Sequence, residues 1–284
     1  MEQLDLVGVV GCGLMGAGIA EVCARAGKSV VVVEGSAAGA SAGQRRIASS
    51  LERAEQRGKI DSAAQVLDLI EVTSDLEAVA DRDLVVEAIV EDEAAKLTLF
   101  TRLDRIVSNP DTILATNTSS IPVMKLAVAT NRPEKVIGLH FFNPVPVLNL
   151  VEIVPSLLTS RDSIDRIETF ATTDLNKHAI RSQDRAGFVV NALLIPFILS
   201  AVRMLESGFA TADDIDQGLV RGAAHPQGPL ALADLIGLDT TKAIAESLYE
   251  EFKEPLYSPP PMLLRMVQAG LLGRKTGRGF YTYG

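Results

Sequence analysis

The sequence is poor in cysteine and histidine and has no long apolar run, and each shortage excludes a class of protein. Its 284 residues contain two cysteines, Cys12 and Cys23, and three histidines. That is too few for a disulfide framework or a zinc site, and it favours a reducing compartment. No uncharged apolar run reaches the roughly 18 residues of a membrane span. Because the first residues also lack the basic start of a signal peptide, we expect a cytoplasmic protein.

The net charge also argues against one class of binding partner. The formal net charge of −9 argues against a nucleic-acid partner. It remains compatible with a phosphorylated ligand, because a local basic pocket can lie on an acidic surface. At 47% hydrophobic residues, the chain can form one large or two medium domains.

Residues 7–34 contain a glycine motif between two β-rich runs. It reads Gly11, Cys12, Gly13, Leu14, Met15 and Gly16, followed by a helix-like segment and a second β-rich run that ends on Glu34. Strand, glycine turn, helix, strand and acid occur in the order that a dinucleotide site requires. The motif glycines would bind the pyrophosphate at the start of the helix. Cys12 is interpreted as a small residue filling the turn rather than a nucleophile.

Glu34 also bears on the choice of cofactor. Its carboxylate can accept hydrogen bonds from a ribose hydroxyl and would repel a 2′-phosphate, so NAD is favoured over NADP. Arg45 and Arg46 lie too far along the chain to be obvious phosphate partners, although folding could bring them back.

Strand-like and helix-like segments alternate through about residue 180. The ranges 37–58 and 61–69 predict a helical hairpin inserted between strands, and 91–107 predicts a further helix. Expected strands cover 69–73, 83–88, 112–116, 136–142 and 148–154. This alternation predicts a Rossmann-like, parallel, doubly wound α/β sheet with ligands at the carboxyl ends of its strands.

The pattern becomes helical near residue 185. We therefore expect an NAD-binding domain over residues 1–185 and an all-helical domain over 186–284. The apolar segment 187–205 reads as a buried helix, and residues 279–283 read as a strand.

Two residues in apolar strands are candidates for acid–base chemistry. His140 ends a predicted strand, where the nicotinamide would lie, and Glu152 interrupts the apolar run 150–154. A carboxylate there is costly to bury unless it is paired, so adjacent strands could join it to the imidazole. The alternatives are a core histidine and a solvent-facing glutamate on an edge strand.

Other polar residues each allow a structural and a functional interpretation. The run 117–120, which includes Ser119, could touch a ligand or cap the next helix. Asn191 needs a partner if it is buried. Glu91 and Lys96 could form a surface ion pair, and the basic loop 273–279, which includes Lys275, could reach a phosphate or remain a solvated tail.

Several separate motifs resemble the L-3-hydroxyacyl-CoA dehydrogenase family, in family order and across nearly the whole chain. They are VGVVGCGLMGAGIAEVCARAG, DLVVEAIVED, ATNTSSIPV, GLHFFNPVPVLNLVEIV, AGFVVNALLIP, HPQGPLALADLIGLD and GRKTGRGFY. The resemblance implies NAD-dependent, reversible oxidation of a 3-hydroxyacyl-CoA, most similarly to bacterial 3-hydroxybutyryl-CoA dehydrogenases. It also implies a place in fatty-acid or butanoate metabolism, no metal, and a homodimer formed through the helical domain.

The matching motifs imply residue roles. His140 would be the catalytic base and Glu152 its partner, with Ser119 and Asn191 contacting the substrate. Residues on the cofactor side would be Gly11, Gly13, Leu14, Met15, Gly16, Glu34, Glu91, Lys96, Ser119, Asn143 and Lys275. The helical insert would bind CoA through Ser50 and Arg57.

This chain departs from the family pattern at Glu34, where Asp is commoner, and at Arg57, where Lys is often found. Two other functions stay open. One is a non-catalytic, crystallin-like relative, and the other is a dehydrogenase of free hydroxy or sugar acids.

Overall fold

A computed structural model describes residues 3–284, and the chain separates into two compact units. The first ends at Asp184 and the second comprises Arg185–Gly284. No helix within the described range is long and apolar enough to cross a bilayer.

The first unit is an eight-stranded sheet with helices between its strands. The strands are β1 (Leu6–Val10), β2 (Ser29–Val33), β3 (Ile70–Thr73), β4 (Leu84–Glu87), β5 (Ile113–Thr116), β6 (Val136–Phe141), β7 (Leu150–Pro155) and β8 (His178–Arg181). Their order in space is β3-β2-β1-β4-β5-β6-β7-β8. The helices are α1 (Leu14–Arg25), α2 (Ala37–Gln56), α3 (Ala63–Leu67), α4 (Glu93–Ile106), α5 (Val123–Ala127) and α6 (Arg161–Thr169).

The central strands are buried on both faces, which explains why they read as continuous apolar runs. β1 pairs in parallel with both β2 and β4, so the order of the strands reverses at β1. Ligands of doubly wound sheets bind outside the carboxyl ends of the strands at this reversal. The glycine motif follows β1 directly and therefore lies there. The predicted doubly wound α/β sheet with its α2–α3 insert is confirmed.

The sheet departs from the expected parallel pairing at one pair, because β6 and β7 are antiparallel. The connection between them, residues 142–149, is too short for the crossover of about a dozen residues that parallel strands need. Strand β8 was not expected from the sequence, because its exposed ends give it no continuous apolar run.

The second unit is helical, as expected from its sequence. Its helices are α7 (Val190–Glu206), α8 (Ala212–Gly222), α9 (Pro229–Ile236), α10 (Leu238–Phe252) and α11 (Pro261–Gln268). Their apolar faces enclose a core that includes Ile195, Leu199 and Leu230. The predicted strand at residues 279–283 is wrong, since the tail forms only isolated bridges such as Arg278 with Thr282.

Candidate active site

The glycine turn after β1 has the conformation that its sequence predicts. Gly11 has φ of +100°, and a Cβ there would lie 2.5 Å from the carbonyl oxygen of Ala88. A Cβ on Gly16 would lie 1.9 Å from the carbonyl oxygen of Gly11, so α1 packs directly on the turn. Gly13, in contrast, faces open space. The residues present therefore fit a dinucleotide, because the turn leaves room for a pyrophosphate at the start of α1.

The rest of the motif leaves this opening accessible. Leu14 is exposed and Met15 is half-buried at the start of α1. Cys12 fills the inner side of the turn, and burial raises the pKa of its thiol to about 11, with Glu34 acting in the same direction. The thiol is therefore protonated at neutral pH, which suits a packing role.

Glu34 follows β2 and reaches the same turn. One carboxylate oxygen accepts a hydrogen bond from the Cys12 N–H at 2.8 Å, and the other accepts one from the Gly35 N–H. The carboxylate thus lies beside the glycine motif, where a dinucleotide has its adenosine ribose. Arg46 also returns to the turn, and its Nη1 donates to the carbonyl oxygen of Cys12 at 2.6 Å.

His140 and Glu152 are brought together by the antiparallel pair. They are direct register partners on β6 and β7, so their side chains lie on the same face of the sheet. His140 Nδ1 lies 2.7 Å from Glu152 Oε2, and the two residues are 6% and 0% exposed. The rings of Phe142 and His140 pack in a T-shaped arrangement, with ring centroids 4.6 Å apart. The alternative of a solvent-facing Glu152 is wrong.

The loop that contains Ser119 is fixed by a single carboxylate oxygen. Glu91 Oε1 accepts hydrogen bonds from the Thr118 hydroxyl and from the backbone N–H groups of Ser119 and Ser120. Burial alone would raise the pKa of Glu91, but the charge of Lys96 and these hydrogen bonds outweigh it and hold the pKa below its usual range. Glu91 is therefore ionised and binds the loop at neutral pH.

Lys96 lies beneath this loop. Its Nζ lies 2.6 Å from Glu87 Oε1 and 3.0 Å from Glu91 Oε2, and the residue is 1% exposed. The alternative of a surface ion pair is therefore wrong. Glu87 was not among the predicted site residues, although it is a carboxylate in the apolar strand β4, the same signal that indicated Glu152 in β7.

The neighbouring loops connect this network to β6. Asn117 Oδ1 accepts a hydrogen bond from the Phe141 N–H, which joins the end of β5 to the strand of His140. The alternative of a serine cap on the next helix is wrong. Helix α5 follows Pro122, and Asp184 accepts from the N–H groups of Val123 and Met124 instead.

Asn143 lies on the exposed loop between β6 and β7, before a cis peptide bond to Pro144. Lys177, which the sequence analysis did not select, donates to the carbonyl oxygens of Val145 and Leu148 in that loop. Burial lowers the pKa of Lys177. The loop is therefore held from beneath by a buried cation.

The remaining predicted residues lie on helices or in the tail. Ser50 is half-buried on α2, and Arg57 is exposed directly after that helix. In the second unit, Asn191 is buried in the first turn of α7. Lys275 forms an ion pair with Asp239, with Nζ 2.6 Å from both carboxylate oxygens. The structure thus joins His140 to Glu152 and Ser119 to Glu91.

Known proteins share this architecture along the whole chain. Residues 6–185 match the family model of the 3-hydroxyacyl-CoA dehydrogenase NAD binding domain, and residues 187–283 match that of the C-terminal domain. A 3-hydroxybutyryl-CoA dehydrogenase of Mycobacterium tuberculosis is 57% identical over 99% of both chains. The mitochondrial hydroxyacyl-coenzyme A dehydrogenase of Sus scrofa is 41% identical over 98% of this chain and 90% of that one.

A solved structure gives the same result. The crystal structure of FadB2 from M. tuberculosis superposes with a TM-score of 0.98 at 57% identity and covers 100% of both chains. Together with the glycine turn, Glu34 and the His140–Glu152 pair, these matches show that the chain belongs to the 3-hydroxyacyl-CoA dehydrogenase family.

Proposed function

We propose that this protein is an NAD-dependent dehydrogenase that reversibly oxidises short-chain (S)-3-hydroxyacyl-CoA, such as 3-hydroxybutyryl-CoA, to 3-ketoacyl-CoA. The observation that carries the proposal is the buried His140–Glu152 pair, on a strand that Asn117 joins to the loop containing Ser119. The dinucleotide motif on the same sheet and the names of the relatives support it.

The pair has the arrangement of a general base and its partner. Glu152 holds Nδ1, so proton exchange with a substrate hydroxyl falls to Nε2 of His140. In oxidation, His140 takes the proton of the C3 hydroxyl as the C3–O bond becomes a carbonyl. NAD supplies, when bound, the acceptor for the C3 hydride. In reduction, the imidazolium returns its proton to the developing alkoxide.

Glu152 stabilises the imidazolium in both directions. The two side chains are 2.7 Å apart and both are buried. A Coulomb attraction is stronger at a buried site than at the surface. Proton transfer by a positioned base of this kind contributes about 10²–10⁴-fold to a rate. In the family roles, Ser119 and Asn191 contact the substrate, and Ser50 and Arg57 bind CoA.

On the cofactor side, we assign the pyrophosphate to Gly11, Gly13, Leu14, Met15 and Gly16 and the adenosine ribose to Glu34. Asn143 and Ser119 are assigned to the nicotinamide side. We also assign Glu91 and Lys96 to the cofactor side, where they hold the loop of Ser119. The family assignment of Lys275 to the cofactor side stays a prediction.

Reduction of acetoacetyl-CoA by NADH is the direct test. We expect turnover by the purified protein, and we expect His140→Gln to reduce kcat by about 10³-fold while NADH affinity stays within threefold, since the base contacts the reacting atoms. NADH binding without turnover by the wild type would favour the non-catalytic alternative.

The substrate class needs its own measurement. We expect acetoacetyl-CoA to react and free acetoacetate to be inert, with rates falling from C4 towards C16 thioesters. Equal rates with free hydroxy acids would favour the alternative substrate class.

We further propose a cytoplasmic homodimer formed through the second unit. Leu193 and Phe209 are large apolar side chains there that are 72% and 80% exposed. Burial between two copies of the chain would remove both side chains from water, which is favourable. Light scattering after size exclusion should give twice the monomer mass, and Leu193→Asp should reduce it. A monomer at all concentrations would contradict the proposal.

A further inference from the structure

Three residues on one face of α2 lie against the dinucleotide turn and Glu34. Gly39, Gly43 and Arg46 are spaced by four and three residues, which places them along one side of a helix. A Cβ on Gly39 would lie 2.6 Å from Glu34 Cγ, and one on Gly43 would lie 2.2 Å from Cys12 Sγ. The helix therefore packs with its backbone on the turn. Arg46 is the next side chain along this face.

Two opposite charges consequently flank one residue of the turn. The Cys12 N–H donates to Glu34 at 2.8 Å, and the Cys12 carbonyl oxygen accepts from Arg46 at 2.6 Å. Both charges act on the Cys12 thiol, where Glu34 raises the pKa and Arg46 lowers it. The anion and the cation therefore lie within electrostatic range of the same small volume.

Arg46 retains the capacity to bind a ligand. A guanidinium has five N–H donors, and Arg46 is exposed to solvent although Nη1 reaches the turn. Its planar fork suits a phosphate, whereas the Glu34 carboxylate suits a hydroxyl and repels a phosphate.

We propose that Arg46 is a specificity residue for the 2′ position of the adenosine ribose, and that its opposition to Glu34 sets the preference between NAD and NADP. Glu34 accepts the 2′-hydroxyl of NAD and disfavours the 2′-phosphate of NADP. Arg46 attracts that phosphate, so the preference for NAD is smaller than Glu34 alone would give. The inference rests on the proposed function, since it requires a dinucleotide on this turn.

The test is a double-mutant cycle on binding rather than on turnover. Dissociation constants of NAD and NADP are measured by calorimetry for the wild type, Glu34→Gln, Arg46→Met and the double variant. Gln retains an oxygen for the Cys12 N–H, and the unfolding midpoint of each variant confirms that it is folded. Arg45→Met is the matched control, because this exposed arginine lies about 100° round the helix from Arg46.

We expect Glu34→Gln to tighten NADP by about tenfold or more, because one repulsive charge is removed. Arg46→Met should weaken NADP by about tenfold, the value of one charge-assisted hydrogen bond, and NAD by less than threefold. The double variant should lose the gain in NADP affinity, and Arg45→Met should leave both constants within twofold.

An unchanged NADP-to-NAD ratio in Arg46→Met, in both backgrounds, would overturn the inference. So would an equal effect of Arg45→Met. Weakened CoA binding by Arg46→Met in the same calorimeter, with unchanged NADP binding, would overturn it too and would assign Arg46 to the substrate's phosphates. Absence of NAD binding to the wild type would overturn the proposed function as well. NAD binding with unchanged ratios would overturn this inference alone.

Discussion

In the first unit, the buried carboxylates of Glu87 and Glu152 have a lysine and a histidine as side-chain partners, whereas in the second unit those of Asp216 and Asp234 accept from backbone N–H groups and tyrosine hydroxyls. Glu87 lies 2.6 Å from Lys96 Nζ and Glu152 lies 2.7 Å from His140 Nδ1. Asp216 instead accepts from the first turn of α9, through the N–H groups of Leu230 and Ala231. Asp234 accepts from those of Phe280 and Tyr281 in the tail.

The comparison shows that burial of an acid does not by itself mark a reactive site. Both kinds of carboxylate satisfy the rule that a buried charge must be hydrogen-bonded. An acid held by backbone N–H groups fixes a helix end or a tail. An acid held by an imidazole can stabilise a cation that appears only during a proton transfer. The partner therefore separates the proposed catalytic pair from the structural acids.

Glu152→Gln tests the first half of this comparison and should have the largest effect. We expect kcat for acetoacetyl-CoA to fall by about 100-fold or more, since the imidazolium loses its counter-charge while Gln keeps the shape. The unfolding midpoint should change much less than in a variant of Asp234. Near-normal turnover would show that Glu152 is a structural acid as well.

Asp234→Asn tests the second half. The amide has one acceptor oxygen for the N–H groups of Phe280 and Tyr281 and the hydroxyl of Tyr283. We expect the free energy of unfolding to fall by about 2–3 kcal/mol, because a buried donor loses its acceptor. Turnover per folded molecule should stay within twofold. Asp213→Asn, at an exposed position of α8, is the control and should change neither.

The stability that Glu91 contributes should depend on pH, which adds another carboxylate of the first unit to the comparison. Because its pKa is lowered in the folded chain, its contribution to stability is present above the unfolded value of about 4.3 and is lost as the pH falls below it. The wild type should therefore be more stable than Glu91→Gln at pH 7, and this difference should shrink towards pH 3. Urea unfolding at both pH values measures it. A constant difference would mean that the carboxylate does not hold the loop as an anion.

Lys275 provides the smallest expected effect. In its ion pair with Asp239 both side chains are exposed, whereas in the pair of Lys96 with Glu87 both are buried. Lys275→Met should change the free energy of unfolding by less than about 1 kcal/mol, as is usual for a surface pair. The same variant tests the predicted cofactor role, since NAD affinity should fall only if Lys275 reaches the nucleotide.

Much of the site could be predicted from local sequence, and so could the antiparallel pairing of β6 and β7. The motif at residues 11–16 depends on backbone freedom and close approach, which glycine alone supplies, so its meaning is local. The short connection at residues 142–149 already excluded a parallel crossover. Antiparallel pairing would have placed Glu152 near His140 without any structure. Glu87 could have been found by the same signal as Glu152.

The sequence by itself determined the doubly wound fold, the dinucleotide turn, the choice of His140 and Glu152, and the change to a helical second half. These follow from hydrophobic periodicity and from residue types that few environments tolerate. Tertiary structure alone decided that Lys96 is buried beneath the loop of Ser119 and that Arg46 returns to the turn beside Glu34. The physical reason is that both results depend on which helix face packs against which strand end. Such contacts join residues far apart in the chain, so no local sequence pattern predicts them.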